Sequence, residues 1–568
     1  MKKDIGIWIL LSICLIITII ILIISFMTTN IDRKFNLIKD SVISNKQNVE
    51  DEDVKVVLMS FTNNIDKAKV FSGIGFSLED AFSNVKKKVD SFIEENNYDV
   101  KFLKADIVTD IKDTTYREFE KEIEDIQIAY SYRRGLILEN TDGEIVFLTE
   151  AELNANNIID YKNYQISLFD LNKYLDECNK NKFENLPNRF RTFSTISYFC
   201  DDKNNLYEID SALGYRKQEV NKQEIRNMIN LSSDYLSNLI DNHGKYIYGY
   251  YPQYDKQIAS YNILRHAGST WSLIINTDTM VERQKIESTL DYIATTTKYL
   301  DNETGFVQEY LENEIKLGGN ALSVIALCEY TEKYDNRYMD ILNALGNGIL
   351  DMQKSDGSYI HILDANDFSI KSEYRTVFYD GEATLALAKL YSVTKDKKYL
   401  DAAEKALKYF IENDYTKHSD HWISYAVNEI TKYVDNEEYY EFGLKNVADN
   451  IEHISNREVT SHTDLEMLMQ CFELYERIKD RNIDVKYMDE FPFEKLLKTI
   501  VDRAEFQSRS FLYPEIAMYL CNPEKYVNSF YIREDEYRIR IDDIQHSNLG
   551  YHFYCKYYDK INKYLEEL

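Results

Sequence analysis

The chain has 568 residues, too many for one ordinary domain and enough for two or three. It carries 96 acidic against 67 basic side chains, a formal net charge of -29, which excludes nucleic-acid binding through a broad basic surface. With 44% hydrophobic and 13% aromatic residues there is ample material for packed cores.

The first element is an uncharged run, Ile5 to Met27. At about 1.5 Å rise per residue such a run is long enough to cross a bilayer as a helix. No small-residue cleavage pattern follows it, so residues 1–30 are expected to form an uncleaved membrane anchor. Lys2 and Lys3 precede the run and Arg33, Lys34 and Lys39 follow it, so the charge rule is nearly balanced. The very short lysine-bearing tail favours a single-pass protein of the cell membrane with its C-terminal domains extracytoplasmic. Residues 31–53 are polar and charged and are expected to form a stalk. The cysteines are scattered without CxxC spacing and read as buried free thiols.

Residues 54–218 mix strand and helix patterns and predict an α+β domain. Val54–Phe61 and Val100–Ile111 read as strands. Ser77–Asn96 reads as an amphipathic helix with Ser77 as its N-cap. Arg133–Leu153 reads as a hairpin around Asp-Gly, and Arg191–Asp210 as a further strand pair. Over the short stretches GIGFSLEDAF and RRGLILENTDGEIVFLTEAEL this region resembles the AMMECR1-type α+β domain, a resemblance that implies no activity.

Residues 221–568 are helix after helix. Gly319–Ile349, Gly381–Ile411 and Trp422–Ile451 each hold a helix rich in small residues, a charged turn and a second amphipathic helix. Tyr338, Tyr399 and Tyr439 recur just after the turn. Hairpins of this length number six or seven, and six closing on themselves make an (α/α)6 toroid. The small residues of each first helix allow close packing and predict the inner ring, while the lysines and glutamates of the second predict a solvated outer ring. The whole chain is therefore read as multidomain: an N-terminal transmembrane helix, an α+β module, then an all-α (α/α)6 toroid.

In such a ring the inner N-terminal loops converge on one rim. These would be Arg265–Thr270, Lys316–Ala321, Phe378–Ala383, His418–Ala426, Thr460–Met467, Phe511–Met518 and Ile541–Tyr551. The hairpin pattern with GEATLALAKLY, DHW and RHAG is similar to the six-hairpin glycosidase superfamily over about 60% of the chain. The resemblance implies sugar chemistry at that rim: hydrolysis, cleavage or epimerisation.

Asp380 suits an N-cap and Glu382 the first turn of a helix, but Arg375 and Tyr379 beside them are not explained by capping. A glycosidase needs two carboxyls flanking the scissile bond. Glu382, Asp380 and Asp420 are the catalytic candidates, with Asp420 as the second carboxyl. His421 and Trp422 add a titratable ring and a stacking face for sugar. Arg265 and His266, inside an apolar run, point either to a structural ion pair or to substrate binding. Asp542 and His546 join the binding set. Adjacent carboxylates on a helix diverge, so no metal site is read, and no nucleotide loop or other cofactor motif is present. His462 with Asp464, and Glu515, are lesser candidates.

The expected partner is a polysaccharide or glycan, with membrane contact through the N-terminal helix and possible envelope-biosynthesis partners. The expected function is hydrolysis of a cell-envelope or secreted polysaccharide by carboxylate acid–base chemistry. Lyase or epimerase action is an alternative, in which Tyr251, Tyr374 or Tyr379 could serve as acid or base. A non-catalytic glycan-binding or assembly component is the alternative from another class; it predicts that every acid is engaged as a cap.

Overall fold

The computed structural model describes residues 30–45, 54–126, 128–140, 143–210, 214–217, 220–277 and 279–568. The expected membrane span, Ile5–Met27, lies outside them. Among the described residues no helix is long and apolar enough to cross a membrane, so the transmembrane element of the expected fold is withdrawn.

The chain divides into two compact units. The first holds the residues up to Gln218 together with Pro252–Asp255 and Leu512–Val527. Its centre is an antiparallel seven-stranded sheet. The strands are β1 (Lys55–Thr62), β2 (Lys69–Gly75), β3 (Phe102–Thr115), β4 (Gly135–Glu139), β5 (Ile145–Leu148), β8 (Arg189–Cys200) and β9 (Leu206–Ile209), and β6 (Ile159–Asp160) and β7 (Gln165–Ile166) pair separately. The order is β2-β1-β3-β8-β4-β5, with β9 also on β8.

One helix of this unit stands where a stalk was expected. Residues 30–44 form α1, whose Ile31, Phe35, Ile38 and Val42 are buried in the same core as Val57, Met59 and Phe82. Their spacing of three or four is one helical face, hidden in a segment whose overall composition is polar. The expected helix is α2 (Leu78–Asn96), with Ser77 Oγ accepting from the Asp80 amide. The remaining helices are α3 (Tyr116–Asp125), α4 (Glu150–Ala155) and α5 (Leu168–Glu177). Thr115 and Thr149 each form a full capping box, with Glu118 and Glu152, and so fix the starts of α3 and α4.

The second unit is a ring of twelve helices. Its inner members are α7 (Ile263–Asn276), α9 (Leu317–Lys333), α11 (Phe378–Thr394), α13 (His421–Ile430), α15 (Thr463–Arg481) and α17 (Ile541–Glu567). Each packs on the next, and α17 packs back on α7, which closes the ring. The outer members are α6 (Lys222–Asn238), α8 (Met280–Thr296), α10 (Met339–Asp351), α12 (Lys397–Glu412), α14 (Glu437–Ala448) and α16 (Phe493–Ser508). Each outer helix packs on an inner helix, most of them on two, and α6, first in the chain, packs on α17, the last. This is an (α/α)6 toroid of six hairpins, entered on an outer helix.

The recurring tyrosines explain the repeat. The hydroxyl of Tyr338 donates to Asp291 of α8 (2.8 Å), that of Tyr399 to Asn347 of α10 (3.2 Å), and that of Tyr439 to Glu404 of α12 (3.1 Å). Each tyrosine sits at or near the start of its own outer helix and is tied to the outer helix before it. The motif is a latch between successive hairpins. The inner helices are buried almost throughout, and their alanines, Ala321, Ala326, Ala383, Ala386, Ala388 and Ala426, let backbones approach closely.

Candidate functional site

Six of the seven loops expected at the rim are the N-terminal ends of α7, α9, α11, α13, α15 and α17. The seventh, Phe511–Met518, is not on an inner helix. Most of it belongs to the first unit, where Glu515 makes a bidentate ion pair with Arg216 (2.6 and 3.0 Å).

Glu382 lies in the first turns of α11, and its side chain is buried. Its Oε2 has no hydrogen-bond partner. Glycine at 318 leaves room for it: a Cβ on the facing α9 backbone would lie 2.2 Å from Glu382 Oε2 and would displace that carboxyl, Leu264 and Tyr379. Burial raises the Glu382 pKa well above the usual carboxylate range, and the Asp420 charge raises it further. Asp420, fully buried, is the N-cap of α13: Oδ1 accepts from the Trp422 amide at 2.9 Å. Its Oδ2 has no partner. A Cβ at Gly381 would lie 2.7 Å from that Oδ2, so glycine lets α11 and α13 bring their acids together. Burial pushes Asp420 upward as well.

Asp380 is turned to other work. It is neither the N-cap of α11 nor unpartnered: Oδ1 lies 3.2 Å from His361 Nε2, and Oδ2 accepts from Tyr415 at 3.4 Å. His361 in turn accepts the Arg375 amide at Nδ1 (3.0 Å). Asp380 therefore braces the loop before α11. The Arg375 guanidinium is 43% exposed and 3.9 Å from Glu314 rather than beside Glu382. Tyr379 is buried, and burial followed by the Glu382 charge raises its pKa.

The histidines are distributed in a way the sequence did not indicate. His266 is fully buried and spent, bonded through Nδ1 to the Tyr261 hydroxyl (2.7 Å) and through Nε2 to the Thr289 carbonyl (3.0 Å). Burial lowers its pKa to about 4, and it is structural rather than a substrate ligand. His421 is buried with Nε2 unpartnered. Burial, and then His546, hold it well below the usual imidazole range, so it is neutral at pH 7. The His546 ring lies 5.2 Å from it, centroid to centroid. His546 Nδ1 is 2.7 Å from Glu466 Oε1. Burial opposes the charge on His546, but Glu466 outweighs it and raises the pKa. The mouth thus holds one neutral and one readily protonated imidazole.

Glu466 was missed. It follows His462 by four residues on α15, as His546 follows Asp542 on α17, so each pair shares a helix face. That spacing was the available signal. Glu466 also accepts from the Tyr425 hydroxyl (2.6 Å). His462 bonds Ser547 Oγ (2.6 Å), and burial lowers its pKa to about 3.

Arg265 is held by Asp542 (Nε to Oδ2, 2.7 Å) and donates to the Tyr248 hydroxyl (2.6 Å). Burial would raise the Asp542 pKa, but Arg265 and Arg540 together drive it far below the carboxylate range. Asp542 is thus a fixed anion that orients Arg265. Trp422 is buried rather than open to a sugar, with Trp271 at 6.1 Å and Tyr425 at 5.8 Å between ring centroids. Open aromatic faces come instead from Tyr374, tilted against His361 (4.9 Å between centroids), and from Phe378, 6.3 Å from His421.

Among the described residues, His421, Glu466 and His546 offer ligand atoms within 4.8 Å of one another and could hold a metal ion. The proton on His546 and the Tyr425 hydroxyl already use the Glu466 oxygens, so a cation would compete with both.

No family pattern matches the sequence, and no curated protein matches it. Solved structures do. D-mannose isomerase is similar over 59% of this chain and 98% of its own, at 10% identity and a TM-score of 0.45. Cellobiose 2-epimerase from Bacillus thermoamylovorans B4167 covers the same shares at 12% identity and 0.44. The GH76A alpha-1,6-mannanase from Salegentibacter sp. HEL1_6 does so at 11% and 0.41.

Proposed function

We propose that the helical unit is a carbohydrate-active enzyme working by acid–base proton transfer, and that its reaction is hydrolysis of a glycan. One observation carries this: Glu382 Oε2, Asp420 Oδ2 and His421 Nε2 are buried polar atoms without partners, gathered at one mouth of the ring. An unsatisfied buried polar atom costs roughly 1–3 kcal/mol. A fold that keeps three together is supplied with a site that a polyhydroxylated ligand can satisfy. The rival reading, glycan binding without catalysis, requires each acid to be engaged as a cap. Asp420 meets that requirement, and Glu382 does not.

Two like-charged carboxyls in one dry site do not both ionise. The Asp420 charge raises Glu382, so Glu382 keeps its proton and suits the donor to the departing glycosidic oxygen. Asp420, oriented by the Trp422 amide, suits the base or nucleophile. Tyr374 and Phe378 offer flat faces to sugar C–H groups, and Arg265 offers an oriented donor.

A second reading rests on a different observation, the facing imidazoles. Neutral His421 opposite His546, held by Glu466, suits proton removal and return at a sugar carbon, as in an epimerase or isomerase. One experiment separates the readings. The protein is incubated in D2O with a panel of neutral polysaccharides and free reducing sugars. Hydrolysis predicts new reducing ends and no carbon-bound deuterium; isomerisation predicts carbon-bound deuterium and no new ends. Neither product from any substrate contradicts catalysis.

A further inference from the structure

The ring has a second cavity, of about 470 Å3, walled by residues beyond the first turn of all six inner helices. That is within the range of about 300–1,000 Å3 typical of small-molecule sites. The layer Trp271, Trp422 and Tyr425, with ring centroids 5.6 to 6.1 Å apart, stands between this cavity and the mouth that holds Glu382. Nothing in the acid–base chemistry above uses the cavity, and the inference does not rest on that chemistry.

The charges lining it cancel one another. Lys389 pairs with Glu329 (2.9 Å), Lys432 with Glu429 (2.5 Å) and Lys556 with Glu473 (3.3 Å). Glu332 and Lys333, also on the wall, bond Ser392 and the carbonyls of Ile274 and Thr277, so the lining carries no net charge that would select a charged ligand. Two amides are not satisfied. Asn428 Nδ2 donates to Gln470 Oε1 at 2.7 Å, which leaves Asn428 Oδ1 and Gln470 Nε2 buried on the wall without partners. Turning both amides over leaves the same count, one spare acceptor and one spare donor. Both residues are only 3% exposed. Trp271 and Phe553 add aromatic surface. One acceptor, one donor, aromatic walls and no demand for charge describe a neutral polyhydroxylated molecule.

We infer that this far cavity is a second ligand site, for a neutral hexose or a disaccharide of hexoses, bound by the Asn428–Gln470 amide pair against the Trp271 and Phe553 faces. Its aromatic wall is shared with the first mouth through Tyr425, which donates to Glu466, the partner of His546.

The test is calorimetric titration of the full chain with D-glucose, D-mannose and D-galactose in turn, on the parent and three variants. Asn428→Leu with Gln470→Met keeps volume while removing the spare donor and acceptor. Lys556→Trp plugs the cavity from a half-exposed position and spares the core if the first variant fails to fold. His421→Asn alters only the first mouth. The expected result is a saturable event with one of these hexoses that survives His421→Asn and is lost, by tenfold or more in affinity, in the plugged and amide variants. The inference is overturned if no hexose binds, if binding disappears with His421→Asn alone, or if Lys556→Trp leaves it unchanged.

Discussion

The two mouths of one helical ring, built from the same six inner helices, differ in that only one of them, among the described residues, keeps buried carboxyl oxygens without a hydrogen-bond partner. At the far mouth every lysine–glutamate pair named above is closed, and Lys389, 15% exposed, is held charged beside Glu329. At the N-terminal mouth Glu382 and Asp420 face each other with no cation bonded to either, and His421 has a free nitrogen. Buried ion pairs are dear to break and do little else. Unpaired acids are unstable where they stand, and their protonation is free to change. The difference separates scaffold from chemistry within one repeat.

Four substitutions break or sharpen that contrast. The largest effect belongs to the acids. Glu382→Gln and Asp420→Asn should each lower turnover by about 10²–10⁴ with the fold retained, since general acid–base groups contribute on that order. Asparagine still caps a helix, so circular dichroism should show α13 intact in Asp420→Asn. Next, Lys389→Met strands Glu329 and should cost about 3–5 kcal/mol in denaturant unfolding, with turnover near parental at temperatures where the protein stays folded.

Third, Glu382→Gln should raise thermal stability at pH 8. The folded pKa of Glu382 is raised, so its contribution is full below the unfolded carboxyl value and is lost as pH rises through the folded one. Glutamine removes that loss. The gain of about 1–3 kcal/mol at pH 8 should shrink toward pH 5, read by calorimetry at both values. Smallest, Tyr399→Phe removes one latch between outer helices and should cost about 0.5–1.5 kcal/mol with no change in turnover.

The toroid was legible because its signals are local and repeated. Small-residue helices, charged turns and a tyrosine after each turn survive variable loop lengths, and the tyrosine proved to be the latch. Helix α1 was not legible because four apolar residues in one stripe are outweighed by a polar composition. The seventh rim loop was misassigned because Phe511–Met518 has the look of an inner-helix entry and only tertiary contact sends Glu515 to Arg216. At the site, Glu382, Asp420, His421, Arg265, Asp542 and His546 were singled out from residue type and position at helix starts, and all six lie in the first turns or at the N-cap of inner helices. Which acid caps and which is unpartnered depends on a neighbouring helix, so the cap expected of Asp380 falls to Asp420, and Asp380 braces the loop before its helix instead. His266 misled because a histidine in an apolar run looks the same whether its nitrogens are free or satisfied.

The contrast between the mouths depends most directly on Glu382 holding its proton. Carbon NMR of side-chain-labelled glutamate, titrated from pH 4 to pH 9 and assigned by loss of the signal in Glu382→Gln, measures that proton. The account predicts a carboxyl that stays protonated well above the ordinary glutamate range and titrates lower in Asp420→Asn. A Glu382 signal that titrates with the surface glutamates, unmoved by Asp420→Asn, would contradict it.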